Sequence, residues 1–131
     1  MQIPKTKTTN QNAKIEFKNR VYLHTIKSLK FISNVQDNKI NKIILNQLIR
    51  SLTSIGANIV EAKASNSKKD FARYFDIALK SANETKYWLY LLRDTDNVVD
   101  KVQIKEIIDE TIEISNILAS SLLTMRNKKV I

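Results

Sequence analysis

Cysteine is absent from this sequence of 131 residues, which has only one glycine and one proline. Without cysteine there are no disulfides or thiolate metal sites, and this fits a reducing compartment, so we expect a cytoplasmic protein. One glycine and one proline leave little material for β-turns, whereas long helices need neither residue. The sequence therefore predicts an all-α protein with few connections. A glycine-rich phosphate loop is excluded for the same reason.

Long apolar runs are missing as well. No run approaches the roughly 20 apolar residues that cross a bilayer. The first residues, MQIPKTKTTNQNAK, also lack the apolar block of a secretory signal. We therefore expect no membrane partner.

Positive charge dominates most of the chain, and the formal net charge is +9. Residues 1–93 hold 17 Lys or Arg and 6 Asp or Glu, an excess of 11 positive charges, whereas residues 94–131 hold 5 and 7. Such a field favours polyanions, so RNA or DNA is the natural partner class. The alternative is that these are simply lysine-rich, well-solvated helices.

Helical periodicity organises the chain into three parts. We expect a flexible basic arm over residues 1–11, a single four-helix domain over 12–126, and a frayed end over 127–131. The helices are predicted at about 12–34, 39–64, from Ser67 to about 93, and from about 101 to 126. Asp37 and Asn38 are predicted turn or N-cap residues before the second helix, and Ser67 is a predicted cap with Asp70 in the first turn of the third helix. Short connections then favour an antiparallel up-down-up-down bundle.

Each helix has an apolar stripe with steps of three and four residues. The third helix has the most regular one, which matches a heptad seam. The predicted core residues are Ile15, Tyr22, Ile26, Leu29 and Ile32 on the first helix, Ile44, Leu48, Leu52, Ile55, Ile59 and Ala62 on the second, Phe71, Phe75, Ala78, Ala82, Thr85, Leu89 and Leu92 on the third, and Ile104, Ile107, Ile108, Thr111, Ile114, Ser115, Leu118, Leu122 and Met125 on the fourth.

The second helix is apolar over a wider arc than one core seam requires. The excess predicts a second apolar surface, through which copies of the chain form a homo-oligomer. A glycine inside a helix costs about 1 kcal/mol relative to alanine, so a compensating close contact is expected there. The predicted oligomer interface is Leu45, Ile49, Leu52, Gly56 and Val60.

The basic residues of the first three helices are the candidate nucleic-acid contacts. On the third helix, Arg73, Lys80 and Tyr87 recur every seven residues and predict a basic stripe, although nearby Asp76 and Glu84 favour a surface of ion pairs instead. The candidate nucleic-acid-binding residues are Lys14, Lys18, Arg20, Lys27, Lys30, Arg50, Lys68, Lys69, Arg73 and Lys80.

Catalytic and metal chemistry have little support. A di-iron site needs Glu-x-x-His pairs on two helices, but the chain has one histidine, His24, and the spacing of Glu110 and Glu113 is a poor ligand signal. We therefore expect no metal and no cofactor. Some helical ribonucleases, the HEPN class, have four to six residues between an arginine and a following histidine. Only three residues separate Arg20 from His24, and a packed helix residue is the favoured interpretation of His24.

A spaced set of small and polar residues carries a family resemblance. It comprises Arg50-Ser51, Ser54-Ile55, Asn58-Ile59 and Glu61, then Lys69-Asp70-Phe71, Ala78, Ser81 and Glu84. The set resembles the four helix bundle protein family, which includes proteins encoded in intervening sequences of large-subunit ribosomal RNA genes and the accessory variability determinants of diversity-generating retroelements. That family usually has a glycine after the glutamate and often a proline after the Ser-Ile, where this chain has Ala62 and Gly56.

The resemblance implies a ring-like homopentamer with a positively charged surface and no catalytic site. In the retroelement branch, it implies binding to a reverse transcriptase and RNA in support of mutagenic cDNA synthesis. Residues and resemblance together predict a non-enzymatic, basic, oligomeric accessory protein. A protein-binding bundle without a nucleic-acid role and a small ribonuclease using Arg20 and His24 are the alternatives.

Overall fold

The computed structural model describes residues 16–130, which form four helices and no strand. These are α1 (Phe17–Ser33), α2 (Lys39–Ala64), α3 (Lys68–Thr95) and α4 (Lys101–Val130). Each helix packs on the next, and α4 packs back on α1, whereas diagonal pairs make no comparable contact. This is the predicted up-down-up-down bundle, and the all-α prediction is confirmed.

Polar side chains fix the start of three helices. The Asn38 side chain accepts a hydrogen bond from the Asn41 backbone N–H at 2.8 Å, and Ser67 accepts one from the Asp70 N–H at 3.1 Å. The predicted cap at Ser67 is confirmed, and of the two residues predicted before α2, Asn38 is the cap. Asp100 Oδ1 likewise accepts from the N–H groups of Val102 and Gln103, both at 3.1 Å, and so caps α4.

The predictions for the two ends of the chain have different outcomes. The arm over residues 1–11 and the first residues of the predicted first helix lie outside the described residues. At the other end, α4 continues through Val130, beyond the predicted end at residue 126. No glycine or proline follows Arg126, so nothing in the sequence stops the helix there.

The core has two adjoining apolar clusters, one toward each end of the bundle. The predicted stripes of α2, α3 and α4 are buried, except that Phe71 and Met125 are half-buried. Both exceptions lie at the end of the bundle where α2 turns into α3, and both line the cleft described below.

The predicted core face of α1 is wrong. Ile15 lies outside the described residues, Leu29 is 36% exposed, and Tyr22 and Ile26 are only half-buried. His24 and Ser28 face inward instead. Because both are polar, they interrupt the apolar periodicity from which the core face was predicted. Of the predicted α1 stripe only Ile32 is buried, and the buried residues of α1 are Val21, His24, Ser28, Phe31 and Ile32.

The wide apolar arc of α2 is partly explained within the chain. Leu52 is fully buried in the bundle's own core, so it cannot form a surface between copies. Leu45 and Ile49 pack against the core from its edge, and Val60 is 38% exposed. In the described part of the chain, α2 alone is long and apolar enough to cross a bilayer, a test that a bundle's core helix also meets.

Gly56 faces α1 of the same chain. A Cβ built at this position would lie 3.6 Å from Val21 Cγ1, which is ordinary van der Waals contact. The expected close approach of another helix is therefore present but does not require glycine.

Hydroxyl groups fill the interface between α2 and α3, which is the most extensive in the bundle. Ser54 Oγ lies 2.8 Å from Ser81 Oγ, and Thr85 Oγ1 lies 3.0 Å from Ser51 Oγ. Asn58 Nδ2 donates to the Ser54 carbonyl at 2.8 Å. These small residues let the two helices approach closely while their polar atoms stay paired.

Most of the resembling motif therefore has a packing role. Its small and amide residues on α2 and α3 form this interface. Arg50, Glu61 and Glu84 are different, because they are exposed and form no ion pair within 4.0 Å among residues 16–127. Packing inside the described chain does not explain these three residues.

Candidate nucleic-acid interface

A cleft opens at the end of the bundle where α2 turns into α3. It lies between residues 65–67, the first turns of α3 and the C-terminal part of α4, and encloses about 920 Å³. Its apolar lining comes from Phe71 and Ala72 of α3 and from Leu122 and Met125 of α4. Neither helix alone forms this surface, so the cleft depends on how α3 and α4 pack together.

Four cationic side chains line the cleft: Lys68, Lys69 and Arg73 of α3, and Arg126 of α4. Lys68, Lys69 and Arg126 are exposed and form no ion pair within 4.0 Å in the described part of the chain. Lys68, Lys69 and Arg73 are predicted nucleic-acid contacts, and the structure places all three in this cleft. The N-terminal end of α3 adds a partial positive charge beside them.

The acids of this cleft are fewer than its cations. Asp70 and Asp76 line it, and Asp70 Oδ1 lies 3.8 Å from Arg73 Nε. The Arg73 guanidinium also lies over the Tyr74 ring, 4.4 Å from its centroid. Arg73 is thus held in place by its neighbours, whereas the other three cations are available to a ligand.

Sequence reasoning missed one cation that lines the cleft and one that lies beside a residue of its lining. Arg126 was assigned to the end of the domain and not to the site, although it directly follows the core residue Met125 on α4. Lys63 of α2 lies with its Nζ 5.8 Å from the centroid of Phe71. A helical-wheel extension of α4 beyond residue 125 would have found Arg126, but no local pattern predicts the contact of Lys63.

The other cations predicted to bind nucleic acid do not join this cleft. Lys80 Nζ lies 3.3 Å from Asp76 Oδ2, one turn away. Ion pairing along α3 was the open alternative to a basic stripe, and the contacts favour it. Lys18 lines a small groove between α1 and α2, Lys30 and Arg50 are exposed elsewhere, and Lys14 lies outside the described residues.

Arg20 and Lys27 are paired with acids across the interface of α1 and α4, which we call the α1–α4 seam. Arg20 donates two hydrogen bonds to Glu110, both at 2.7 Å, and Lys27 donates one to Glu106 at 3.1 Å. The hydrogen bond from Arg20 holds the pKa of Glu110 below its usual value. A phosphate would have to displace a bidentate carboxylate to reach Arg20.

His24 is buried in the same seam, where it is 4% exposed and its Nε2 lies 2.9 Å from Thr111 Oγ1. Burial lowers the pKa of His24 from 6.5 to about 4, because a charged imidazole would lose its hydration there. This confirms the interpretation of His24 as a packed residue. In residues 16–127 no group of three or more His, Asp or Glu side chains is placed to hold a metal ion.

The model of a known protein family matches residues 14–120 of the chain, and its description is 23S rRNA-intervening sequence protein. The protein belongs to this family. One similar solved structure is a protein of unknown function from the S23 ribosomal protein family of Bacteroides thetaiotaomicron VPI-5482. It is 36% identical, with a TM-score of 0.72, over 82% of this chain and 98% of that one. No curated protein matches this sequence.

The family assignment agrees with the sequence resemblance. It supports a four-helix bundle related to ribosomal RNA intervening-sequence proteins, and neither description indicates an enzyme. Neither describes a ligand of this chain.

Proposed function

We propose that this protein is a non-enzymatic accessory protein that binds RNA phosphates in the cleft at the α2–α3 turn. The observation that carries the proposal is the convergence of Lys68, Lys69 and Arg126, from two different helices, with no carboxylate within 4.0 Å of these three in the described chain. Exposed lysine and arginine side chains bind phosphates and release counterions, which favours binding at low salt.

The cleft is a better site for phosphates than the other basic residues of the described chain. A cation already paired with a carboxylate gains little from a phosphate, because the existing pair must break first. Arg20, Lys27 and Lys80 are in that position. DNA has the same phosphate chemistry, so matched RNA and DNA strands are two arms of the test.

Self-association is the second part of the proposal. Val60 is exposed, and Leu45 and Ile49 lie at the edge of the core, so an apolar strip on α2 is available to another copy. The resemblance suggests a ring of five copies, which would display several clefts to one RNA and raise affinity by avidity. Gly56 faces α1 of the same chain, so the test is at Val60: a Val60→Glu variant should shift the mass measured by light scattering toward 15.1 kDa. An unchanged mass would mean that the interface lies elsewhere.

The direct test is binding of a structured RNA by fluorescence anisotropy between about 50 and 200 mM salt. Affinity should fall steeply with salt. A Lys68→Gln, Lys69→Gln and Arg126→Gln variant should bind more weakly and lower the magnitude of the salt slope by about 3.

The matched control changes Lys30, Lys39 and Lys42 to glutamine at the other end of the bundle, with the same change in net charge. It should bind almost as well as the wild type. Equal loss in both variants would show that net charge, and not this cleft, controls binding. Absence of salt-sensitive binding in the wild type would favour a bundle that binds only protein.

The ribonuclease alternative is disfavoured by the α1–α4 seam, since Arg20 is held by Glu110 and His24 is buried. Incubation of the protein with RNA should leave the RNA intact. Cleavage that is lost in a His24→Ala variant would reverse this conclusion.

A finer proposal concerns the biological partner. Accessory proteins of the retroelement branch of the resembling family bind a reverse transcriptase and RNA, so a reverse transcriptase–RNA complex is the specific partner that we propose. A reverse transcriptase gene beside this gene, with template and variable repeats, would support it. Location within a ribosomal RNA gene would instead favour the intervening-sequence branch.

A further inference from the structure

The cleft contains more apolar surface than phosphate binding needs. Phosphates require cations or N–H donors, yet between the cations lie Phe71, Leu122 and Met125. Phe71 and Met125 are half-buried, so part of each side chain faces the cleft. An apolar floor with a cationic rim suits a ligand that has both an apolar face and negative charge.

The floor is held rigidly by the core beneath it. Phe71 stacks on Phe75 with ring centroids 4.7 Å apart and an interplanar angle of 27°, and Phe75 in turn contacts Phe17 with centroids 6.5 Å apart. Phe75 and Leu122 belong to the buried cluster at this end of the bundle. A ligand would therefore meet a preformed surface and would not have to order it.

The rim and floor are arranged across two helices. Lys68 and Lys69 precede Phe71 on α3, and Arg126 follows Met125 on α4, so cations flank the apolar residues on both walls. Lys63 adds a further cation beside the Phe71 ring. The volume of about 920 Å³ is within the range of pockets that hold small organic ligands, roughly 300–1,000 Å³.

We propose that, if the cleft binds RNA phosphates as argued above, it also admits an unpaired base and thereby selects single-stranded RNA. The base would lie against Phe71, Leu122 and Met125, and its flanking phosphates against Lys68, Lys69 and Arg126. Bases in a duplex are stacked inside and cannot reach such a floor, whereas unstacked bases pack readily on aromatic and apolar side chains.

The test compares three fluorescent RNAs by anisotropy at about 100 mM salt, in the range where phosphate contacts are measurable. They are a single strand of about 12 nucleotides, a duplex containing that strand, and the same strand with abasic central nucleotides. The wild type should bind the single strand at least about fivefold more tightly than either of the others, which is the lower limit for one stacked base.

Two variants alter the floor without changing charge. Phe71→Leu keeps apolar volume toward the core but removes the ring, and Met125→Gln makes a half-buried floor residue polar. Each should weaken single-strand binding by about fivefold or more, leave duplex binding unchanged, and keep the salt slope, because the phosphate contacts remain. The control is Leu123→Gln, since Leu123 is 57% exposed on α4 and does not line the cleft.

Circular dichroism melting should show that all three variants fold. Equal wild-type affinity for single strand, duplex and abasic strand would overturn the base-binding proposal while leaving phosphate binding intact. Loss of the preference for single-stranded RNA in Leu123→Gln would overturn it too. So would an unchanged preference in the folded Phe71→Leu and Met125→Gln variants. Failure of the wild type to bind any of the RNAs would overturn the proposed function itself.

Discussion

Two grooves in the described part of this bundle are each lined by several cations, but they differ in how much of that charge is paired with acids. In the α1–α4 seam, a groove of about 390 Å³ is lined by Arg20, His24, Lys27, Glu106 and Glu110, and the acids pair with both cations. In the cleft at the α2–α3 turn, three of the four cations have no such partner among the described residues. A count of lysine and arginine cannot separate these two surfaces.

The difference comes from the charge pattern of α4. Its first half carries Glu106 and Glu110, which pair with Lys27 and Arg20 of α1, whereas Arg126 lies where α4 meets the start of α3. Thus α4 neutralises positive charge on α1 and adds positive charge beside α3.

The largest expected effect is a loss of unfolding free energy as the pH falls, which should arise in the α1–α4 seam and not in the cleft. The pKa of His24 is lowered in the folded protein from 6.5 to about 4, so its stabilising contribution is complete above about pH 6.5 and is lost as pH falls toward 4. The loss should reach about 3 kcal/mol of unfolding free energy, at 1.36 kcal/mol per pKa unit.

Urea unfolding between pH 7 and 4 measures this loss, and the matched variant is His24→Gln, whose amide retains a polar group near Thr111. The wild type should lose more stability than the variant over that interval. Parallel curves would show that His24 is not the titrating group. Cleft variants should leave the curve unchanged.

Charge reversal in the cleft should have the next largest effect. Lys69→Glu combined with Arg126→Glu removes two phosphate contacts and adds repulsion, so RNA affinity should fall by about 10- to 100-fold at moderate salt. Anisotropy measures the change. Lys27→Glu in the seam is the single-site comparison and should reduce binding much less; if its effect is as large, the seam binds RNA too.

Breaking the main ion pair of the seam should have a smaller effect, on stability. Glu110→Gln removes the negative charge that holds Arg20, and we expect a loss of about 1 kcal/mol, less than for a fully buried pair because both side chains are about one-third exposed. A double-mutant cycle with Arg20→Ala isolates the pair energy. Additive single effects would show that the contact contributes nothing to stability.

The smallest expected effect concerns α1 packing on α2, away from both charged grooves. Gly56→Ala should stabilise the protein by about 0.5–1 kcal/mol, since alanine favours a helix and its Cβ would meet Val21 Cγ1 at 3.6 Å. Thermal unfolding should show a higher midpoint. A lower midpoint would mean that α1 lies closer to α2 than this distance indicates.

Sequence reading was accurate wherever one local signal decided the structure. The stripes of α2, α3 and α4 and the caps at Asn38 and Ser67 follow from steps of three and four residues and from hydroxyl or amide side chains at helix starts. The core face of α1 was misassigned because His24 and Ser28 face inward. His24 is paired with Thr111 of α4, and periodicity along one helix does not reveal such a partner.

The candidate site was only partly accessible to sequence reading for the same reason. Lys68, Lys69 and Arg73 are neighbours on one helix start and were identified together. Arg20 was assigned to the same role because its partner, Glu110, is 90 residues away in the chain. Charge availability is a property of tertiary contacts, so it becomes known only when the helices are packed.

The hydroxyl pairs between α2 and α3 have one more consequence. If α3 slid along α2 by a single turn, Ser54 would separate from Ser81 and Ser51 from Thr85 at the same moment. These paired groups therefore set the axial register of α3. Ser81 lies about 20 Å along the helix from Lys68. A bulkier residue at position 81 would shift α3 along α2 and so move the cationic rim of the cleft without contacting it. The small side chain of Ser81 therefore helps to position a binding surface that lies far from it.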